Sequence, residues 1–287
     1  MKKSGKTSII VAVVLVVIGL FIGGIGFAMS GFDPRKLSTV SYDRIEKVIN
    51  PQDITSIYAN IKSEDIEIVY KDIDEIRVTY YDNKYEEYEI STRNDQLWIQ
   101  FEDNRPWYKH IGVFIGKMDC DIVVEVPRNL KLDIEVNSRS GCIYVDGLIT
   151  GKLDIETSSG DVELKNITSD ILIMETTSGS VEANDLSIGS ITAESTSGDV
   201  ELNNCYGDKL LMDTVSGSVD FHKIEYSDIT LSSTSGDIEG TIVGSRQEYS
   251  ISSETTSGDN NLGNYDYNGT KSLKVSTTSG DIEIDFK

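Results

Sequence analysis

The chain has 287 residues, with 26 lysines and arginines against 48 aspartates and glutamates, a formal net charge of −22. That excess of acid excludes binding to nucleic acid or to a bare anionic lipid surface, which both need positive charge on the protein, and favours cationic partners. The three cysteines, Cys120, Cys142 and Cys205, are odd in number and lack metal-ligand spacing, which excludes a disulfide framework and a zinc site.

From Thr7 to Phe32 there is no charged side chain, and Ile9 to Phe27 is an almost unbroken apolar run. About 20 such residues span the ~30 Å hydrocarbon layer as a helix, the form that satisfies its own backbone there. The run predicts a cytoplasmic N-terminus at 1–8, a transmembrane helix at 9–29 and a juxtamembrane stalk at 30–53, with a short helix around Tyr42 to Val48. Lys2, Lys3 and Lys6 precede the span, so the expected location is the cell membrane, single-pass, with the C-terminal part extracytoplasmic. Without those lysines, 23 basic against 48 acidic residues leave −25 on the outer part. A cleaved signal peptide is the alternative, because Gly26-Phe27-Ala28 suits a peptidase, but an apolar run of this length exceeds the usual signal core. Gly19 and Gly23 form a small-xxx-small pair, a route to helix pairing and a homo-oligomer.

Residues 54–136 read as degenerate β repeats and a cap. Ser63-Glu64-Asp65-Ile66-Glu67-Ile68 has the same order as Ser159 to Leu164. Further strands are predicted at Ile76 to Tyr81, Tyr85 to Ser91, Leu97 to Phe101 and Ile122 to Val126, with turns at Asp82-Asn83 and Asn94-Asp95.

Residues 137–287 carry a regular repeat. Ser-Gly recurs with its glycine at Gly141, Gly160, Gly179, Gly198, Gly217, Gly236, Gly258 and Gly280, at five intervals of 19 residues and a final two of 22. Five apolar columns keep step with it: Ile143, Val162, Val181 and Val200 two residues on; Val145, Leu164, Ala183 and Leu202 at four; Leu148, Ile167, Leu186 and Cys205 at seven; Leu153, Leu172, Ile191 and Leu210 at twelve; Ile155, Met174, Ala193 and Met212 at fourteen. Period-two alternation marks strands with one buried face. Each repeat is therefore two strands. Glycine makes the Ser-Gly corner, and a second corner falls at Gly147, Asn166, Asp185 and Asn204, residue types that accept left-handed backbone angles. A unit with five core side chains does not stand alone, so the repeats must stack as an all-β, β-solenoid-like rod. The alternative is a β-sandwich, which does not require corner residues to persist. Ser140, Ser159, Ser178 and their counterparts predict a stacked hydroxyl ladder.

Val124-Glu125-Val126-Pro127-Arg128-Asn129-Leu130-Lys131-Leu132, followed by repeated Ser-Gly-Asp-Val-Glu-Leu, resembles the bacterial adhesin-type family of unknown function known as toastrack domains. The resemblance covers about Ile54 to Lys287 and implies an all-β repeat fold, often with a transmembrane segment, and in some members an association with envelope stress and cationic antimicrobial peptides. It implies no catalytic residue. The two longer terminal repeats depart from the pattern.

Outward positions beside each corner gather acid. Glu163, Glu182, Glu201 and Asp220 stand three after the glycine, Glu156, Glu175, Glu194 and Asp213 four before the next, and Asp161 and Asp199 directly after it. Stacked, they make carboxylate columns at ~4.8 Å spacing, either a solubilising face or a strip for a cationic peptide or a divalent cation such as calcium. The Asp/Ser alternation after the glycine would halve the charge of that column. Trp98, Trp107 and Tyr108 are a second contact patch or a closed core. His110 and His222 lack partner motifs, which disfavours an enzyme. Cys205 is expected buried and Cys142 accessible. The function expected is an extracytoplasmic adhesin-like binding or sensing module of the cell envelope; the alternative is a structural stalk or self-assembly protein that pairs through a free final coil at Asp281 to Phe286.

Overall fold

The computed structural model describes residues 16–19, 21, 24, 25, 28, 42–83, 86–104, 121–266 and 269–287. Those between 16 and 28 are helical, and among the described residues no helix is long and apolar enough to cross a membrane. The remainder of the expected span at 9–29 lies outside the described residues, as do Trp107, Tyr108, His110 and Cys120.

Twenty strands join in one sheet. They are β1 (Asp43–Ile49), β2 (Ser56–Ile61), β3 (Ile66–Lys71), β4 (Ile76–Asp82), β5 (Glu86–Arg93), β6 (Gln96–Asp103), β7 (Ile122–Pro127), β8 (Asp133–Ser138), β9 (Ile143–Asp146) and β10 (Ile149–Thr157). There follow β11 (Val162–Lys165), β12 (Thr168–Thr176), β13 (Val181–Ser195), β14 (Val200–Thr214), β15 (Val219–Ser233), β16 (Ile238–Ile242), β17 (Tyr249–Ser257), β18 (Tyr265–Asp266), β19 (Lys271–Ser279) and β20 (Ile282–Phe286).

From β8 to β16 the pairing is parallel and in step with the sequence repeat. Leu153 lies on Leu172, Leu172 on Ile191, Ile191 on Leu210 and Leu210 on Ile229. The fold is thus a β-solenoid. All five apolar columns are buried, and Leu153, Leu172, Leu164 and Leu202 have no exposed surface. Each residue in a column rests on its equivalent in the next coil, so the core is continuous and no coil has to enclose a core of its own.

The second corner is as expected: Asn166, Asp185 and Asn204 have φ of 54°, 58° and 54°, and Gly147 has 73°. Lys223 holds the same place at 55°, a residue without the Asn or Asp preference for that region. The Ser-Gly corner has a different cause from the one expected. Most of its glycines do not have positive φ. A Cβ on Gly179 would lie 1.9 Å from the carbonyl oxygen of Gly160, and one on Gly160 would lie 1.9 Å from that of Gly141. The requirement is space between coils, not backbone freedom.

The hydroxyl ladder also differs. The serines before the glycines are exposed, whereas a buried hydroxyl three residues before each glycine bonds the corner. Thr157, Thr176, Ser195 and Thr214 accept from the amides of Gly160, Gly179, Gly198 and Gly217 at 3.1, 3.0, 2.9 and 3.1 Å.

Both ends of the stack are interlaced. β2–β3 is the first coil in sequence but lies second in space, with β6–β7 on one side and β8–β9 on the other. At the other end, β19–β20 sits directly on β15–β16, and the earlier strand β17 lies outside it. The two 22-residue intervals supply the chain needed to step out over one level and return. The segment Asp281 to Phe286 is therefore not a free edge. On its outer side Ile282 donates to the carbonyl of Asp259, and Asn261 donates from its backbone to Ile282, at 2.9 and 3.1 Å. Beyond it, Leu262 plugs the end of the core at 1% exposure. β18 covers the start of β17, and the Asn264 carboxamide accepts from the amide of Ser253 at 2.7 Å.

The N-terminal end is closed by antiparallel strands: β5 on β6, β4 on β7 and β1 on β4. The helix expected around Tyr42 to Val48 is instead β1, because all seven residues from Asp43 to Ile49 pair with β4. A tertiary ladder overrides weak local helical preference.

Gly179→Ala should lower stability by about 3 kcal/mol or prevent folding, the cost of forcing atoms into closed packing. Gly147→Asn, which reproduces the residue of the next coils at an open corner, should change stability by less than about 0.5 kcal/mol. Denaturant melts of both variants against the parent provide the check.

Candidate functional site

Alternation along each strand sends the apolar columns inward and the acids outward, so in-register stacking converts a sequence repeat into carboxylate columns. On β11, β13 to β16 and β20, Glu163, Glu182, Glu201, Asp220, Glu239 and Glu283 lie one above another. On β10 and β12 to β14, Glu156, Glu175, Glu194 and Asp213 do the same. The Ser-Gly corner separates the two columns, so the acids form two strips on adjacent faces.

Asp161 and Asp199 belong to neither. Asp161 accepts from the amide of Ser180 at 2.9 Å, and Asp199 from that of Ser218 at 2.8 Å. Asp65, Asp237 and Asp281 bond the amides of Cys142, Asp281 and Asp259 in the same way. These carboxylates pin one coil to the next. An Asp in one coil serves the amide of the next coil whether that residue is Ser or Asp.

The first column is partly satisfied from within. Lys165 is ion-paired to Glu163, and Asn184 and Asn203 donate to Glu182 and Glu201 at 2.8 and 2.9 Å. Its far end is richer in charge than the sequence repeat alone suggested. A groove of about 330 Å³ there holds Glu201, Asp220, His222, Glu239, Glu283 and Asp285. Burial, and then Asp199, Glu201 and Asp237, push the Asp220 carboxyl above its ordinary value. Glu239 is raised by burial, then by Asp220, Glu283, Asp237 and Asp281. The His222 imidazole Nδ1 lies 3.2 Å from the Thr241 hydroxyl. Glu239 and Glu283 stand three residues after their glycines and extend the column as the repeat predicts; Asp285 joins the groove through the interlaced end, which places β20 directly on β16.

The second column lines a groove of about 280 Å³ with Glu156, Glu175, Glu194 and Asp213. All four are exposed, and among the described residues none is ion-paired. Ser232 ends the run and donates to Asp213 at 2.8 Å. Among the described residues no group of three or more His, Cys, Asp or Glu is placed to hold a metal ion. The carboxylates run in line and do not converge, which suits a spread of positive charge.

Trp98 is on β6, its ring 4.6 Å from that of Tyr58, with Arg93 5.5 Å from the indole. Cys205 is buried in its apolar column, and burial raises its thiol to about 11; Cys142 is exposed.

Raised carboxyl values have a definite sign in stability. Folding disfavours the ionised forms of Asp220 and Glu239, so their cost is present at neutral pH and disappears as pH falls through their folded-state values. Asp220→Asn with Glu239→Gln should raise stability at pH 7 by about 0.5 kcal/mol, the scale of a like-charged cross-strand pair. The gain should vanish in mild acid. Thermal melts across that pH range test this.

Residues 54–287 match the model of the Toastrack DUF4097 family. Among solved structures, a candidate adhesin from Parabacteroides merdae is similar at 13% identity, covering 85% of this chain and 96% of that one, with a TM-score of 0.44. One from Bacteroides fragilis has 13% identity, coverage of 86% and 98%, and a TM-score of 0.45. A candidate lipid-binding protein from Parabacteroides distasonis has 15% identity, coverage of 85% and 97%, and a TM-score of 0.45. Comparison with curated proteins gives no match.

Proposed function

The chain belongs to the Toastrack DUF4097 family, and from that premise we propose that it is a membrane-anchored, extracytoplasmic, adhesin-like binding module, without catalytic activity, that takes cationic partners on its carboxylate columns. The observation that carries this is the exposed column Glu156, Glu175, Glu194 and Asp213, four in-register acids with no ion pair among the described residues. Like charges stacked at ~4.8 Å cost stability, and a cationic ligand relieves that cost as it binds. A lysine- or arginine-rich peptide of the envelope fits. Divalent cations compete with it as diffuse counter-ions. The apolar run at 9–29 behind Lys2, Lys3 and Lys6 supports a single-pass anchor in the cell membrane with the C-terminal part extracytoplasmic, and sensing such peptides is the role in envelope stress that this reading gives it.

For the alternative of a structural stalk or self-assembly protein, the final coil at Asp281 to Phe286 is not the free pairing edge, because the segment at 259–262 bonds its outer side.

Fluorescence anisotropy with labelled octalysine provides the test. Binding should be measurable in about 50 mM salt and weaken by about tenfold or more in 500 mM, since exposed charges are screened. Glu156→Gln, Glu175→Gln, Glu194→Gln and Asp213→Asn together should weaken it by a similar factor. Affinity indifferent to both salt and the four substitutions refutes the reading.

A further inference from the structure

The outward column that carries Glu156 to Asp213 changes character toward the N-terminal end. In register with Glu156 come Asn137 on β8, Asn60 on β2 and Gln100 on β6. The column therefore runs from four carboxylates into three carboxamides. All three amides are half-buried. They lie along a groove of about 650 Å³ that also takes in Phe101, Lys62, Arg139, Asp103 and Ser158.

The amides are only partly used by the protein. Asn60 donates to the Gln100 carbonyl oxygen at 3.5 Å, Gln100 donates to the backbone oxygen of Phe101 at 3.2 Å, and Asn137 donates to Glu135 at 3.3 Å. Among the described residues nothing donates to the side-chain oxygens of Asn60 and Asn137. These are directional acceptors, half-shielded from water, on rigid strands.

Charge in this groove is balanced, unlike the rest of the surface. Lys62 is 3.1 Å from Asp103, and Arg139 shares the groove with Glu156. Two cations and two anions give no net pull on a charged ligand. The Lys62 ammonium also sits 5.0 Å from the centroid of the Phe101 ring, a cation–π contact that holds it in place beside Asp103.

Oriented amides, a hydroxyl and no net charge are the chemistry of a neutral polyol: a few placed polar groups fix orientation, and a concave surface supplies contact. We propose that this groove on the N-terminal coils is a binding site for a neutral oligosaccharide, with Asn60, Gln100 and Asn137 bonding its hydroxyl or acetamido groups. Arg139, which has no ion pair among the described residues, supplies a further donor at the rim. The site goes beyond the carboxylate columns: it adjoins the second column at Glu156 and Ser158 but takes a different ligand class, by hydrogen bonds in place of charge.

Saturation-transfer NMR on the full-length chain, with maltotriose and with chitotriose as probes, tests this. Transfer to at least one trisaccharide is expected, with an affinity that changes less than about twofold between 50 and 500 mM salt, since the contacts are not ionic. Asn60→Ser combined with Gln100→Ser should weaken binding by about tenfold, equal to ~1.4 kcal/mol. Should that pair disturb the coil, Asn137→Ser gives the same readout from the neighbouring strand. Transfer to neither sugar, or transfer that survives the amide substitutions, overturns the proposal. The two readings are judged separately by salt and by substitution: loss of octalysine binding in Glu175→Gln with Glu194→Gln should leave sugar transfer unchanged.

Discussion

Everything in this molecule depends on how closely one coil approaches the next at the Ser-Gly corner. The Cα of each corner glycine lies over the carbonyl of the glycine beneath, in a space that excludes even a methyl group. That contact runs from Glu64 through Gly141, Gly160, Gly179, Gly198, Gly217 and Gly236, then to Gly280 and only afterwards to Gly258. It fixes the register of the stacked parallel coils it joins, and a slip of one residue there would turn their apolar columns outward. The buried hydroxyls three residues earlier and the aspartates one residue later reinforce the same corner from inside and outside.

Register at the corner creates the surface. Because equivalents stack, any residue type repeated in sequence becomes a line in space: carboxylates on two faces, amides where the early coils replace them. The protein has no deep cleft among its described residues; its binding chemistry lies in shallow grooves between ladders. Such surfaces favour extended ligands that touch several coils at once.

The interlaced ends address the weakness of every solenoid, its terminal edges. Placing the chain terminus one level inside the stack gives β20 a partner on both sides, and it leaves β17 as the outer strand, shielded by β18, Asn264 and Leu262. Open strand edges invite pairing with other chains. The same arrangement at β2–β3 ties in the coil that follows the N-terminal segment.

Much of this was legible in the sequence. The 19-residue repeat sets the solenoid, the five apolar columns name the core, Asn166, Asp185 and Asn204 mark the left-handed corner, and the acids fall in the columns expected of them. These succeed because a parallel stack repeats one local environment, so periodicity in residues is periodicity in space. The tertiary structure decided the rest. Which coil neighbours which at the ends cannot be read from order along the chain, and so Asp285 reached the Asp220 groove unannounced, although Glu283 fell in its column by the repeat. The pinning role of Asp161 and Asp199 depends on an amide in another coil, and β1 is a strand only because β4 offers it a ladder. Spacing reports what each residue repeats; only the packed chain reports what each residue touches.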